Sequence, residues 1–255
     1  MGRAELLRTL AAVIGPLASN NWGIPDMTAA TDNPGARMYQ EFLAVHAILR
    51  RGTELVANAF ERLGEGDQVS VKELIDTTQW LIDFTHHHHE SEDELFWPVL
   101  HELYPGSVAA FDTLNDEHAE LDRELGGLSR AVELLSAANE AGEQVGSAAV
   151  AQAAGAGTAA ARKVRDILAG HLDTEEPVVR DLFPGVPADE VDRLRTAITE
   201  GSPKSGGHLV FGLLEDPEEA EGYDAILASF PVPFRSHRPQ LVQLYIESKR
   251  ALGVA

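Results

Sequence analysis

Apolar positions along this chain recur in steps of three and four, the period of a helix with one buried face, and no segment alternates as a half-buried strand does. Four long helices follow from that pattern. The first is predicted over residues 36–63 and ends at Gly64-Glu65-Gly66. The second spans 71–104, with Ser70 as N-cap and Pro105-Gly106 as its stop. A third runs over 108–138. A fourth covers 159–183, starting earlier if the Ala/Gly-rich stretch before it is helical, and Pro184-Gly185 closes it. Residues 6–18 read as a short amphipathic N-terminal helix, because Glu5 and Arg8 interrupt the pattern of a secretion signal. Residues 19–35 are irregular. Shorter helices are predicted at 187–199, 217–229 and 238–252, with 209–214 (LVFGLL) ambiguous. The expected fold is all-α: an up-down four-helix bundle over 32–184, with the short N-terminal helix before it and a C-terminal helical extension over 185–255 packed on it. The whole of 1–255 is expected to be a single domain.

The apolar seams carry polar interruptions. On the third helix, Phe111, Leu114, Leu121, Leu125, Leu128 and Val132 share one stripe with His118. On the first, His46 stands among Tyr39, Phe42, Leu49, Thr53, Val56 and Phe60. The second helix holds the run His86-His87-His88-His89, whose imidazoles spray outward at 100° intervals, so all four cannot face one point. Its seam selects His88 and Glu92, which lie in line with Leu81, Phe84, Leu95 and Val99. His89 with Asp93, bordered by Ile82 and Phe96, is the second choice, and His86, His87 and His101 read as surface or packing residues. On the fourth helix, His171 and Glu175 fall between Val164, Leu168, Val178 and Leu182. Residues i and i+4 point the same way, so each His-x-x-x-Glu pair offers an imidazole and a carboxylate together. A single seam histidine is most often a hydrogen-bonded structural residue. Glutamate, however, is almost never fully buried without a partner, and neither seam contains an arginine to supply one.

Composition narrows the chemistry. There is no cysteine, which removes disulfides, thiolate nucleophiles, iron–sulfur clusters and thiolate zinc sites, so a metal would have to be held by histidine and carboxylate. The formal charge is −21, from 41 acidic against 20 basic residues, which disfavours nucleic acid and anionic membrane surfaces as partners. No apolar run reaches eighteen residues, and we expect a cytoplasmic protein. Four imidazoles with two inward carboxylates suit a pair of iron ions. Zinc is satisfied by fewer ligands in a tetrahedron, and calcium or magnesium wants more oxygen than this set leaves room for.

The ligand order H…HxxxE…H…HxxxE on successive helices resembles the hemerythrin-like family of HHE cation-binding domains. The segments HHHHESEDELFWP and HLDTEEPVVRDLFP carry that likeness, which extends over about residues 32–183. The resemblance implies His46, His88, His118 and His171 as terminal ligands, and Glu92 and Glu175 as bridges of an oxo- or hydroxo- and carboxylate-bridged di-iron centre. It also implies a small oxidant (O₂, hydrogen peroxide or nitric oxide) as the ligand and an electron donor of unknown identity. In one respect the chain departs from oxygen-carrying hemerythrins: their fifth histidine, four residues after the third-helix one, is Asp122 here. With Asp122, Tyr39 and His89 as candidates to complete the set, an unfilled position would favour catalase-like or NO-reducing turnover over reversible oxygen carriage. The alternatives are an iron- or redox-sensing module signalling through its C-terminal helices, and a simple O₂ carrier or store.

Overall fold

The computed structural model describes residues 33–201 and 205–254, and within these the chain is helical without strands. The N-terminal helix expected at 6–18, and most of the irregular stretch after it, lie outside the described residues. The first described helix, α1 (Pro34–Glu65), begins where Asn33 accepts a hydrogen bond from the Ala36 amide at 2.9 Å and Pro34 pre-sets the first turn. Helix α2 (Val71–Ser91) is capped by Ser70, whose hydroxyl accepts from the Glu73 amide. A π-helical turn (Glu92–Phe96) and a short helix α3 (Trp97–Leu103) come next, then α4 (Val108–Glu140) and α5 (Ala148–Leu182).

Two elements of the bundle differ from the sequence expectation, and beyond it the helix expected at 217–229 is confined to Tyr223–Ser229. The second helix is not continuous to Tyr104. Pro98 lacks the amide that would bond to the Glu94 carbonyl, and its ring would clash there, so the turn before it widens and Trp97 donates to Glu92 five residues back. The extra residue rotates the succeeding turns: Phe96 and Leu100 are buried, while Leu95 and Val99 are half-buried. The fourth bundle helix starts at Ala148 rather than 159, with Ser147 as its cap. Its Ala/Gly-rich first half is helical because α1 comes close, and a Cβ at Gly157 would collide with the Phe60 ring.

Helix α1 packs on α5, α5 on α4, α4 on α2 and α2 on α1, a closed ring. Two apolar clusters fill it. One holds Leu49, Phe60, Leu81, Leu121, Leu125, Leu168 and Leu172; the other holds Met38, Phe42, Phe96, Trp97, Leu114, Val179 and Phe183. Helices α1 and α4 pass from the second cluster into the first, and α2 and α5 pass the other way, which is up-down topology. On each of the four, the polar residues singled out from the seams fall at the crossing. His46 separates Phe42 from Leu49, His118 separates Leu114 from Leu121, Glu92 precedes Phe96, and Glu175 precedes Val179. A polar layer is thus sealed between two hydrophobic plugs.

The remaining helices are α6 (Ala188–Gly201), α7 (Gly207–Glu215), α8 (Tyr223–Ser229), α9 (Val232–Ser236) and α10 (Arg238–Ala251). The ambiguous 209–214 segment is the core of α7, apolar on all sides because α10 covers one face and α1 another. Val191 and Leu194 join the second cluster; Leu209, Leu213 and Tyr245 join the first. Arg51 on α1 donates to the carbonyls of Leu213 and Glu218 at 2.8 and 2.9 Å, and Arg195 pairs with Glu41 at 2.9 Å.

Candidate metal centre

The polar layer brings together all six residues singled out from the sequence, His46, His88, Glu92, His118, His171 and Glu175, and adds His89. These fall into two overlapping groups. His89, Glu92, His118 and His171 form one; His46, His88, Glu92 and Glu175 form the other, and within each group one ligating atom per residue lies within 4.8 Å of the others. Glu92 belongs to both. All seven residues are buried, Glu92 and Glu175 completely.

Hydrogen bonding shows what this layer lacks. Among the described residues, neither oxygen of Glu92 nor of Glu175 has a partner in hydrogen-bonding geometry, and the same holds for both nitrogens of His89 and for Nε2 of His46 and His88. Leaving an ionised carboxylate buried and uncompensated costs several kcal/mol, and two such groups would consume much of a domain's roughly 5–15 kcal/mol of stability. Burial accordingly pushes both carboxyls well above the usual carboxylate range, with the charge of Glu175 adding to the effect on Glu92.

The imidazoles are set for the opposite role. Burial holds His46 below its ordinary value. It holds His88 and His89 well below theirs, with neighbouring imidazoles adding to it, and it lowers His171 to about 3. His46, His118 and His171 each place Nδ1 against an outer carboxylate: Glu176 at 3.0 Å, Asp93 at 2.9 Å and Glu117 at 2.9 Å. A neutral imidazole has a single N–H, and the carboxylate claims it, so Nε2 turns a lone pair inward. The Nε2 atoms of His118 and His171 lie 3.1 Å apart, both turned into the layer. Nε2 of His118 also lies 3.4 Å from Glu92, and that of His46 lies 3.4 Å from Glu175. Lone pairs and carboxylate oxygens converging in a layer closed by apolar clusters on both sides are a cation-binding arrangement.

The family model of the Hemerythrin HHE cation binding domain matches residues 37–184, more than half of the chain. The chain belongs to the hemerythrin HHE cation-binding family. Its two HxxxE segments are the two that supply the buried carboxylates, and the matched span ends where α5 gives way to the turn at Phe183–Gly185. No curated protein and no solved structure matches the chain significantly.

With the HHE layer in view, the outside candidates separate. Asp122 is 54% exposed and faces His86 at 3.7 Å, on the outside of the bundle. Tyr39 is half-buried, and burial together with the charges of Glu176 and Glu221 raises its phenol. His89 belongs to the layer. The seam argument ranks it second because a single stripe admits only one of two adjacent residues. Inside a four-helix ring α2 buries a face wider than 100°, and His88 and His89 both fit within it. His89 stacks on His118 with ring centroids 4.3 Å apart. Of His89 and Asp122, His89 on α2 lies within the layer and Asp122 on α4 lies outside it. Seam periodicity also misses the outer carboxylates. Their sequence signal is adjacency: Asp93 follows Glu92, Glu117 precedes His118 and Glu176 follows Glu175.

Proposed function

We propose that this HHE protein holds a pair of iron ions in the polar layer and binds or turns over a small oxidant, O₂, hydrogen peroxide or nitric oxide, at that pair. The observation that carries the reading is the fully buried Glu92 shared between two ligand groups; it fits two cations better than one. In this reading His89, His118 and His171 would hold one ion and His46 and His88 the other, with Glu92 and Glu175 supplying the carboxylates. Nitrogen and oxygen ligands in this ratio suit iron. Bound iron would supply the electrons for binding or reducing the oxidant.

The chain's residues contribute position and exclusion. The two-imidazole group has one fewer nitrogen, and in this reading a small ligand would bind there. Phe42 covers that side, its ring 4.1 Å from His46 and 5.8 Å from His88. His88 is the most exposed of the seven. Apolar plugs above and below limit access to small uncharged molecules and keep bulk water out.

The decisive experiment is metal analysis with an optical spectrum of the purified protein, followed by anaerobic reduction and addition of each oxidant. About two irons per chain and a spectral response to at least one oxidant are expected. Repeated consumption of peroxide or nitric oxide would make the protein an enzyme, and a stoichiometric adduct that dissociates unchanged would make it a carrier. Absence of iron, or bound iron inert to all three oxidants, would overturn the reading.

A further inference from the structure

The three outer carboxylates form an ordered pattern that ligand binding alone does not require. Asp93, in the π-turn after α2, bonds to His118 on α4; Glu117 on α4 bonds to His171 on α5; Glu176 on α5 bonds to His46 on α1. Each sits beside a residue of the central layer on its own helix and acts on an imidazole of the next helix around the ring. Together they link α2, α4, α5 and α1 in the order in which those helices pack.

We propose that Asp93, Glu117 and Glu176 are positioning residues that fix the Nδ1–H tautomer of three imidazoles and tune the electron-donating strength of the site. The proposal relies on the di-iron reading for the identity of the metal alone. Two considerations support it. With Nδ1–H donated outward to a carboxylate, Nε2 is left as a lone pair aimed into the layer and open to a cation. The acceptor, moreover, is an anion. A carboxylate draws the Nδ1 proton more strongly than a neutral carbonyl does, so the imidazole becomes a better donor and favours the more oxidised state of a bound metal.

The three are not equivalent. Arg50 also binds Glu176, at 3.0 Å, and withdraws part of its charge from His46. Asp93 and Glu117 serve His118 and His171, both in the three-imidazole group, so that group receives the stronger donation.

The test uses Asp93→Asn, Glu117→Gln and Glu176→Gln. Each keeps an oxygen to accept the Nδ1 proton, and each site is partly exposed, so folding is preserved. Iron content should remain near wild type while the midpoint potential rises, more for D93N and E117Q than for E176Q. Asp93→Glu, which restores the charge, should return the potential toward wild type. Separately, ¹⁵N imidazole shifts of the metal-free wild-type chain should report Nδ1–H at His46, His118 and His171. Unchanged potentials with iron retained, or a fall in melting temperature as the sole effect, would overturn the tuning role. An Nε2–H tautomer in the metal-free chain would overturn the positioning role. If the wild-type chain held no iron, the di-iron reading and with it the tuning role would fail, and the ¹⁵N measurement on the metal-free chain would still decide the positioning role.

Discussion

At Glu92 the needs of stability and of metal binding conflict. Its carboxyl is raised by burial and by Glu175, so the metal-free fold prefers it protonated. A raised carboxyl stabilises the fold fully below its unfolded value of 4.5, and that contribution is lost as pH climbs toward the folded value. Glu92→Gln removes the charge and keeps the shape. The metal-free E92Q variant should therefore melt higher than the metal-free wild type at pH 8, by the equivalent of about 1–3 kcal/mol, and nearly equally at pH 4. The same substitution should cut iron content to one ion per chain or fewer, as metal analysis would show. His89 and Asp122 form a second contrast. His89→Ala should lower bound iron or alter its optical spectrum, whereas Asp122→Ala should leave both unchanged, because Asp122 lies outside the layer. An iron content that responds to Asp122 and not to His89 would reverse that assignment.

At the scale of elements, proline and glycine decide what periodicity could not. The seam rule reads one stripe per helix, and it locates His46, His118 and the two HxxxE pairs because those stripes are regular up to the carboxylates. Beyond Glu92 it fails by one residue, since Pro98 opens a π-turn and Phe96 and Leu100 become the buried pair. The Ala/Gly-rich stretch carries almost no pattern of its own; its helicity comes from close contact with α1. Two glycines of this stretch differ in setting. Gly157 is pressed on Phe60, whereas Gly155 is exposed and a Cβ there would meet nothing within 4 Å. Gly157→Ala should destabilise by about 1–3 kcal/mol through overpacking. Gly155→Ala should stabilise by about 0.5–1 kcal/mol through helix propensity. Chemical denaturation of the two variants would show the opposite signs.

Over the whole molecule, the residues after the bundle share its core. Val191 and Leu194 complete the cluster on one side of the polar layer, and Leu209, Leu213 and Tyr245 complete the other. Each buried apolar side chain contributes about 1.5–3 kcal/mol. A chain truncated after Gly185 should thus lose several kcal/mol, seen as a large fall in melting temperature, and should expose apolar surface to a hydrophobic dye. A truncated chain that melts like the full one would make the extension an independent attachment. Acid should also dismantle the site. His46, His88, His89 and His171 are all held below their ordinary 6.5, so the stability they contribute as neutral groups is present above 6.5 and is lost as pH falls beneath it. Iron retained after desalting should decline across the range below pH 6.5. Retention down to pH 4 would contradict this. Among the described residues no helix is long and apolar enough to cross a membrane.

The sequence by itself determined the four bundle helices, their order and six of the seven residues in the polar layer, because helical period and burial of a seam are local properties that one chain segment can express. Tertiary structure decided the rest. His89 enters because four helices in a ring bury more than one stripe of α2. Asp93, Glu117 and Glu176 find their imidazoles across helix boundaries that no local pattern spans. Most of all, the pairing of Glu92 with two ligand groups at once depends on the distance between helices, a quantity set by the packing of the two apolar clusters on either side.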